Sequence, residues 1–225
     1  MRDLRNCDNM ELMAEYPDNH FDLAIVDPPY GIERFKKCSE KDLNTKSVHA
    51  KRFQKMDLVN NTKPTKQYFE ELFRVSKNQI IWGANNFELP TTEYFCCWNK
   101  EQAMPNFATL EYAWVSMGLK KPAKLFTYSI HKHNQTHKIH QTQKPILLYK
   151  WLLQNYAKEG DKILDTHLGS GSIAIACHEM GFDLTGCELD KDYFEAMLKR
   201  IETETAQQDM FKSVNLFAPY VAQQI

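Results

Sequence analysis

Asp27-Pro28-Pro29-Tyr30 holds one carboxylate, two prolines and one aromatic ring in consecutive positions. The prolines remove two backbone donors and fix two φ angles, so the turn is stiff and its carbonyls are free to accept. That set suits a planar amino group, such as the exocyclic amine of a nucleobase: acceptors for its hydrogens at the edge, a ring to stack on its face. A Pro-rich turn with a capping Asp is the plainer reading of the same four residues. The apolar run from Phe21 to Val26 precedes the turn and reads as a strand, which puts Asp27 at its carboxyl end. Open α/β sheets place their chemistry there.

A second constellation, Asp165-Thr166-His167-Leu168-Gly169-Ser170-Gly171-Ser172, runs from an expected strand into an expected helix. Glycines allow a ligand to approach the backbone, and the first turn of a helix offers unpaired N–H groups. Glu188 ends the next strand, where a carboxylate can accept both hydroxyl hydrogens of a ribose. Together these describe the nucleoside-binding half of a Rossmann-like sheet. Gly169-x-Gly171-x-x-Ala174 also satisfies the dinucleotide fingerprint, which keeps an NAD-dependent oxidoreductase open. Too few residues follow Gly171 for the second nucleotide half and catalytic domain of such an enzyme. A glycine-mediated packing turn beside a surface Glu is the bland alternative.

These sites need a sheet to carry them. Strands are expected over Asp22–Asp27, Gln79–Gly83, Glu93–Lys100, Leu110–Met117, Lys162–His167 and Asp183–Leu189. Thr65 is expected to cap a helix burying Phe69, Leu72 and Phe73. Pro145 suits the first turn of another, with Ile146, Tyr149, Leu153 and Tyr156 at helical spacing. Ser172 to Met180 is apolar nearly all round and stops at Gly181, as a buried helix does. A last helix starts near Asp190 and buries Tyr193, Met197, Leu198 and Ile201. Alternating strands and helices imply a three-layer α/β/α domain with a mostly parallel sheet, spanning residues 1–225 as one unit.

The chain's 225 residues, 43% hydrophobic and 25% charged, are ordinary for such a domain. A net charge of −1 gives no global attraction to nucleic acid, so any DNA-binding surface must be a local basic patch. Two segments supply candidates. The 33–65 insert has little periodicity, and its Lys36, Lys37, Lys51 and Arg52 are candidate phosphate contacts on a loop that leaves directly after Tyr30. The 118–140 stretch carries Lys120, Lys121, Lys124, His131, Lys132, His133 and Lys138; a solvated basic loop is the alternative there. The six cysteines form no C-x-x-C pair, so neither a zinc site nor a disulfide framework is expected. With no apolar start and no segment of membrane-spanning length, the sequence reads as a cytoplasmic protein with reduced cysteines.

Taken together, these motifs resemble the amino-group DNA methyltransferases that use S-adenosylmethionine. Asp27-Pro28-Pro29-Tyr30 is similar to their catalytic motif in its adenine-N6 spelling, and Leu168-Gly169-Ser170-Gly171-Ser172 to their cofactor motif, usually Phe-x-Gly-x-Gly. Gly83-Ala84-Asn85-Asn86-Phe87, Trp98-Asn99-Lys100, Glu111-Tyr112-Ala113-Trp114 and His140-Gln141-Thr142-Gln143-Lys144-Pro145 add weaker matches in the right order. The catalytic motif precedes the cofactor motif, the circularly permuted order of the β class. Leu168 stands in place of the usual Phe, and Thr166-His167 where Pro-Phe is common.

The resemblance implies base flipping, with Asp27 and the Pro28 carbonyl accepting the amino hydrogens while Tyr30 stacks on the base. Such a transfer requires no metal. It implies that Glu188 holds the ribose and that Asp165, Thr166, His167, Leu168, Gly169, Ser170, Gly171 and Ser172 line the cofactor. Lys144 would pair with the cofactor's carboxylate, and Asp8 and Asn9 would meet its adenine, with an ordinary N-cap as the alternative for Asp8. Phe87 is a candidate wall of the target pocket or simple core. Trp98, Tyr112 and Trp114 are assigned to the sheet core. DNA is the implied partner, with 118–140 as a short target-recognition region; its shortness makes a homodimer attractive. Cytosine-N4 or RNA amino-methylation and a non-catalytic nucleic-acid-binding relative are the alternatives.

Overall fold

The computed structural model describes residues 2–31, 62–102, 105, 107–134, 138–140 and 142–215, with side chains of 134 and 207–215 excepted. Lys36, Lys37, Lys51 and Arg52 of the basic insert lie outside the described residues, as does Gln141. Among the described residues, eight strands form one sheet: β1 Arg2–Arg5, β2 Leu23–Val26, β3 Gln79–Trp82, β4 Phe95–Asn99, β5 Leu110–Val115, β6 Lys124–Thr127, β7 Lys162–Asp165 and β8 Asp183–Cys187. The helices are α1 Asn9–Ala14, α2 Lys66–Val75, α3 Ile130–Asn134, α4 Ile146–Tyr156, α5 Ser172–Met180 and α6 Lys191–Asn215.

The strand order is β1-β8-β7-β2-β3-β5-β4-β6. β5 runs antiparallel to both its neighbours, β3 and β4, and all other pairings are parallel. β2 is buried along its whole length, which is why its sequence is continuously apolar rather than alternating. Successive side chains point to opposite faces. Leu23 and Ile25 join the core under α4, α5 and α6, while Ala24 and Val26 join the one under α1 and α2. The expected three layers therefore form, with the mostly parallel sheet between them.

Several expected boundaries move. The strands ending at Asp165 and Cys187 stop short of His167 and Leu189, so the site residues stand on the loops just beyond them. Pro145 is the N-cap of α4 rather than its first residue. Leu148 and Leu152 are fully buried there, whereas Ile146 stays half-buried. Phe73 is half-buried as well. Leu198, expected in the core, is 37% exposed, because α6 turns Met197 and Ile201 inward instead.

Two strands escape the sequence reading. β1 is short and charged because it is an edge strand that pairs only with β8. β6 lies inside the 118–140 stretch, pairs in parallel with β4 and forms the other edge of the sheet, and α3 follows it. That stretch is thus partly scaffold, and not wholly a free basic loop.

Candidate active site

β2 and β7 are adjacent and parallel, with Leu23 opposite Ile163 and Ala24 opposite Leu164. From this pair the chain proceeds outward in opposite directions, β7 to β8 on one side and β2 to β3 on the other. Their carboxyl ends therefore form the crevice at a topological switch point, where α/β sheets bind ligands. Asp27-Pro28-Pro29-Tyr30 leaves one lip of the crevice and Asp165-Thr166-His167-Leu168-Gly169 the other. Two motifs separated by most of the chain meet because their strands pair.

On the first lip, Pro28 is buried and Asp27 half-buried. The Tyr30 hydroxyl donates to Asp27 Oδ1 at 2.6 Å. Burial and the neighbouring Asp27 and Glu111 charges push the Tyr30 phenol well above its ordinary value, so it stays a donor. Its ring lies against the backbone of Gly83, which follows β3 with φ +65°. A Cβ there would fall 2.0 Å from Tyr30 Cε1. Phe87 meets the Tyr30 ring edge-on, centroids 6.2 Å apart, and also packs against Phe69 at 5.2 Å. It is therefore both a wall beside Tyr30 and part of the core.

Asp27 Oδ2 is held by the Lys144 ammonium, which also lies 3.2 Å from Glu111 Oε2 and 3.4 Å from the Tyr30 hydroxyl. Lys144 precedes α4 and is 4% exposed. Burial alone would lower its pKa, but Asp27 and Glu111 outweigh that and raise it. The sequence assigned Lys144 to a cofactor carboxylate; here its ammonium lies between two carboxylates of the protein, Asp27 and Glu111. Glu111 was read in the sequence only as part of a motif, with no role of its own. It sits on β5, whose reversed direction brings its first residues to the same edge as the carboxyl ends of β2 and β3. The available signal was an acid within an aromatic and apolar strand.

On the second lip, Gly169 and Gly171 have φ of +50° and +73°, which glycine adopts without steric penalty. A Cβ on Gly171 would meet Met197 Cγ at 2.5 Å, so that glycine lets α6 close on the loop. Gly169 faces the His140 ring, 3.7 Å from a would-be Cβ. The Gly169 amide donates to Glu188 Oε2 at 2.9 Å, and the Asp190 amide to Oε1 at 2.9 Å. A carboxylate has about four lone-pair sites, so these backbone donors leave Glu188 capacity for a ligand. Ser172 Oγ donates to the Lys144 carbonyl at 2.7 Å, joining the two lips, and lies 3.2 Å from Ser170 Oγ. Leu168 is buried against Gly186, in the core.

The non-standard Thr166-His167 pair forms a hydrogen-bonded row. Asn9 Nδ2 donates to His167 Nε2 at 3.1 Å; Nδ1 then carries the proton and donates to Thr166 Oγ1 at 2.9 Å, which meets the Tyr68 hydroxyl at 2.6 Å. Burial lowers the imidazole to about 4, consistent with this neutral tautomer. Asp8 caps α1, accepting from the Met10 amide at 2.7 Å, so the cap alternative describes its side chain.

Asp165 and Glu188 converge on the loop. Burial is the largest influence on both and pushes their carboxyls up, Asp165 to about 8 despite the His167 amide that donates to it at 2.9 Å. Repulsion from Asp27 and Glu188 adds to the Asp165 shift. A crevice with this surplus of carboxylates favours a ligand bearing hydroxyls and a positive charge. Among the described residues no cluster of His, Cys, Asp or Glu could hold a metal ion, and no helix is long and apolar enough to cross a membrane.

The sequence matches the family model for the DNA methylases of N6 and N4 type over residues 39–199. The chain belongs to this DNA methylase family. Among curated relatives, the type II methyltransferase M.HpaI of Haemophilus parainfluenzae is 32% identical over 37% of this chain and 27% of its own length. M.HinfI of Haemophilus influenzae is 24% identical over 86% of this chain and 66% of its own. The chain thus spans between about a quarter and two thirds of these relatives. The M1.HpyAVI–SAM complex superposes with a TM-score of 0.52 at 19% identity, covering 89% of this chain and all of that one. The cytosine-N4-specific PvuII DNA methyltransferase gives 0.56 at 12% identity, covering 91% and 90%. These structures share the methylase fold.

Proposed function

We propose that this methylase transfers the methyl group of S-adenosylmethionine to the exocyclic N6 amine of adenine in DNA. The meeting of Asp27-Pro28-Pro29-Tyr30 with the Gly169–Gly171 loop across β2 and β7 carries the reading, because it sets amine acceptors beside a nucleoside-binding loop. S-adenosylmethionine supplies, when bound, a methyl group already activated on a sulfonium. The carboxylate-rich second lip fits such a cationic nucleoside: Glu188 keeps acceptor sites for ribose hydroxyls, and Asp165 and the Gly169 backbone face the remainder.

What the protein adds is position. The target adenine is flipped from the duplex, since its amine cannot be reached while stacked and paired. Asp27 Oδ1 accepts one amino hydrogen in a lone-pair site beside the Tyr30 hydroxyl, and the Pro28 carbonyl accepts the other. This draws the nitrogen toward tetrahedral geometry and aims its lone pair at the methyl group. The proton is lost to Asp27 late, as the C–N bond forms at the expense of the methyl–sulfur bond, which leaves a neutral thioether, and the amine becomes acidic. Tyr30 and Phe87 wall the base.

Asp27 rather than Ser at the head of the motif favours adenine. Cytosine-N4 is the second reading, since the PvuII enzyme shares the fold. Incubation with unmethylated genomic DNA and methyl-labelled S-adenosylmethionine, followed by digestion to nucleosides, tests both. N6-methyladenine is expected; N4-methylcytosine replaces the base, and unlabelled DNA from cofactor-competent protein overturns the reading.

Two results bear on the cofactor lip. Glu188→Ala weakens S-adenosylmethionine binding by about 1.5–3 kcal/mol, the scale of hydrogen bonds to a charged group. An unchanged dissociation constant by calorimetry moves the ribose contact elsewhere. Asp165, raised to about 8, is largely protonated in the free protein at neutral pH. The folded state therefore loses stability as pH rises from the unfolded carboxyl's range through about 8. A cationic ligand beside it favours the ionised form, so binding at neutral pH releases a proton and tightens as pH rises toward about 8. Calorimetry in buffers of different ionisation enthalpy reads that release; zero proton release refutes it.

A further inference from the structure

Lys144 carries a buried charge that the transfer chemistry alone does not use. We propose that Lys144 is a positioning residue for Asp27, and that Glu111 is the counter-charge that holds Lys144 there as an ammonium. The inference rests on the reading of Asp27 as the amine acceptor.

Four charges of alternating sign form a row: Asp27, Lys144, Glu111 and Lys100, each in an ion pair with the next. A buried ammonium is expensive to desolvate unless carboxylates surround it, and one partner makes only a neutral pair. Lys144 has two. Glu111 Oε2 is buried and makes no well-aligned hydrogen bond among the described residues, so Lys144 is its ion partner. Burial would raise the Glu111 carboxyl, but Lys144 and Lys100 outweigh it and hold it at about 2. The Trp82 and Tyr30 rings lie 5.4 and 5.9 Å from the ammonium. His140 and Asp165 are the other titratable groups within its field.

This arrangement gives the two oxygens of Asp27 different tasks. Oδ2 is tied to Lys144, which leaves Oδ1 turned to Tyr30 and the incoming amine. The Lys144 carbonyl is tied in turn to Ser172 at the mouth of the glycine loop. Lys144 therefore sets the plane of the Asp27 carboxylate relative to the loop that holds the methyl donor. Misplacement of about 1 Å in such a group costs on the order of 100-fold in rate.

Lys144→Met tests this against a cofactor-carboxylate role. The expected result is a fall of about 100-fold in kcat with S-adenosylmethionine affinity largely kept. Lys144→Arg, which restores a cation, regains part of that loss. Weakened cofactor binding with kcat intact overturns the proposal. Glu111→Gln, milder to folding, lowers the Lys144 pKa by removing one of its two carboxylates. The alkaline limb of the kcat profile then moves to lower pH by about one unit or more. Glu111→Gln with Lys144→Met is no worse than Lys144→Met alone, since the two act as a unit. A Glu111→Gln profile superimposable on wild type overturns the proposal. A wild-type protein that methylates no nucleic acid instead fails the functional reading. The Lys144 13Cε titration then decides: a downward shift in Glu111→Gln supports the pairing, and no shift overturns it.

Discussion

Asp27→Ala lowers the rate of methyl transfer by about 100- to 10,000-fold, the range for removing a group that handles a proton in the transition state. Cofactor binding survives, because Glu188 and the Gly169–Gly171 loop stand on the opposite lip and do not depend on Asp27 for their backbone geometry. The variant also leaves Lys144 with Glu111 as its remaining close carboxylate, so part of the loss reflects a displaced lysine. Asp27→Asn separates the effects. It keeps the shape and one acceptor oxygen but lacks the charge that Lys144 pairs with. Stopped-flow single turnovers with bound cofactor measure both variants, and wild-type turnover in Asp27→Ala removes Asp27 from the chemistry.

Gly83→Ala produces the other large effect, and it acts on a residue that touches no substrate. Gly83 has φ +65°, a conformation that costs an L-residue about 1–2 kcal/mol. The added methyl would also occupy the position of the Tyr30 ring, 2.0 Å from its Cε1. The ring is the softer partner and must yield, which breaks its 2.6 Å hydrogen bond to Asp27. Forced repacking of this kind costs about 1–3 kcal/mol, so a stability loss of about 2–5 kcal/mol is expected. Turnover falls with it, since Tyr30 no longer walls the base. Urea unfolding and steady-state kinetics on Gly83→Ala and Tyr30→Phe distinguish the two consequences. Tyr30→Phe keeps the ring and loses the hydroxyl, so it retains stability better than Gly83→Ala. Native stability and turnover in Gly83→Ala rule out the close packing as a determinant of the site.

The parts legible in the sequence were those in which a residue's neighbours along the chain decide its state. β2 announces itself because a strand buried on both faces has no polar position. The Gly169 and Gly171 turn is legible because positive φ selects glycine. Edge strands gave no such signal: β1 has charged residues at three of its four positions, since only one side of it is hydrogen-bonded within the sheet. β6 was equally hidden: Lys124-Leu125-Phe126-Thr127 shows no alternation of polar and apolar residues, although its exposure alternates, and it lies in a stretch that composition marks as a basic loop.

By itself, then, the sequence determined the two lips of the crevice, the stiff Asp27–Tyr30 turn and the glycine loop, because each is encoded in a short run of backbone-restricting residues. Only the tertiary structure decided which charges meet between them. Lys144 pairs with Asp27 across 117 positions, and with Glu111 because β5 runs against its neighbours. A long lysine side chain can reach many partners, and the choice among them is set by strand order and burial, which no local pattern records.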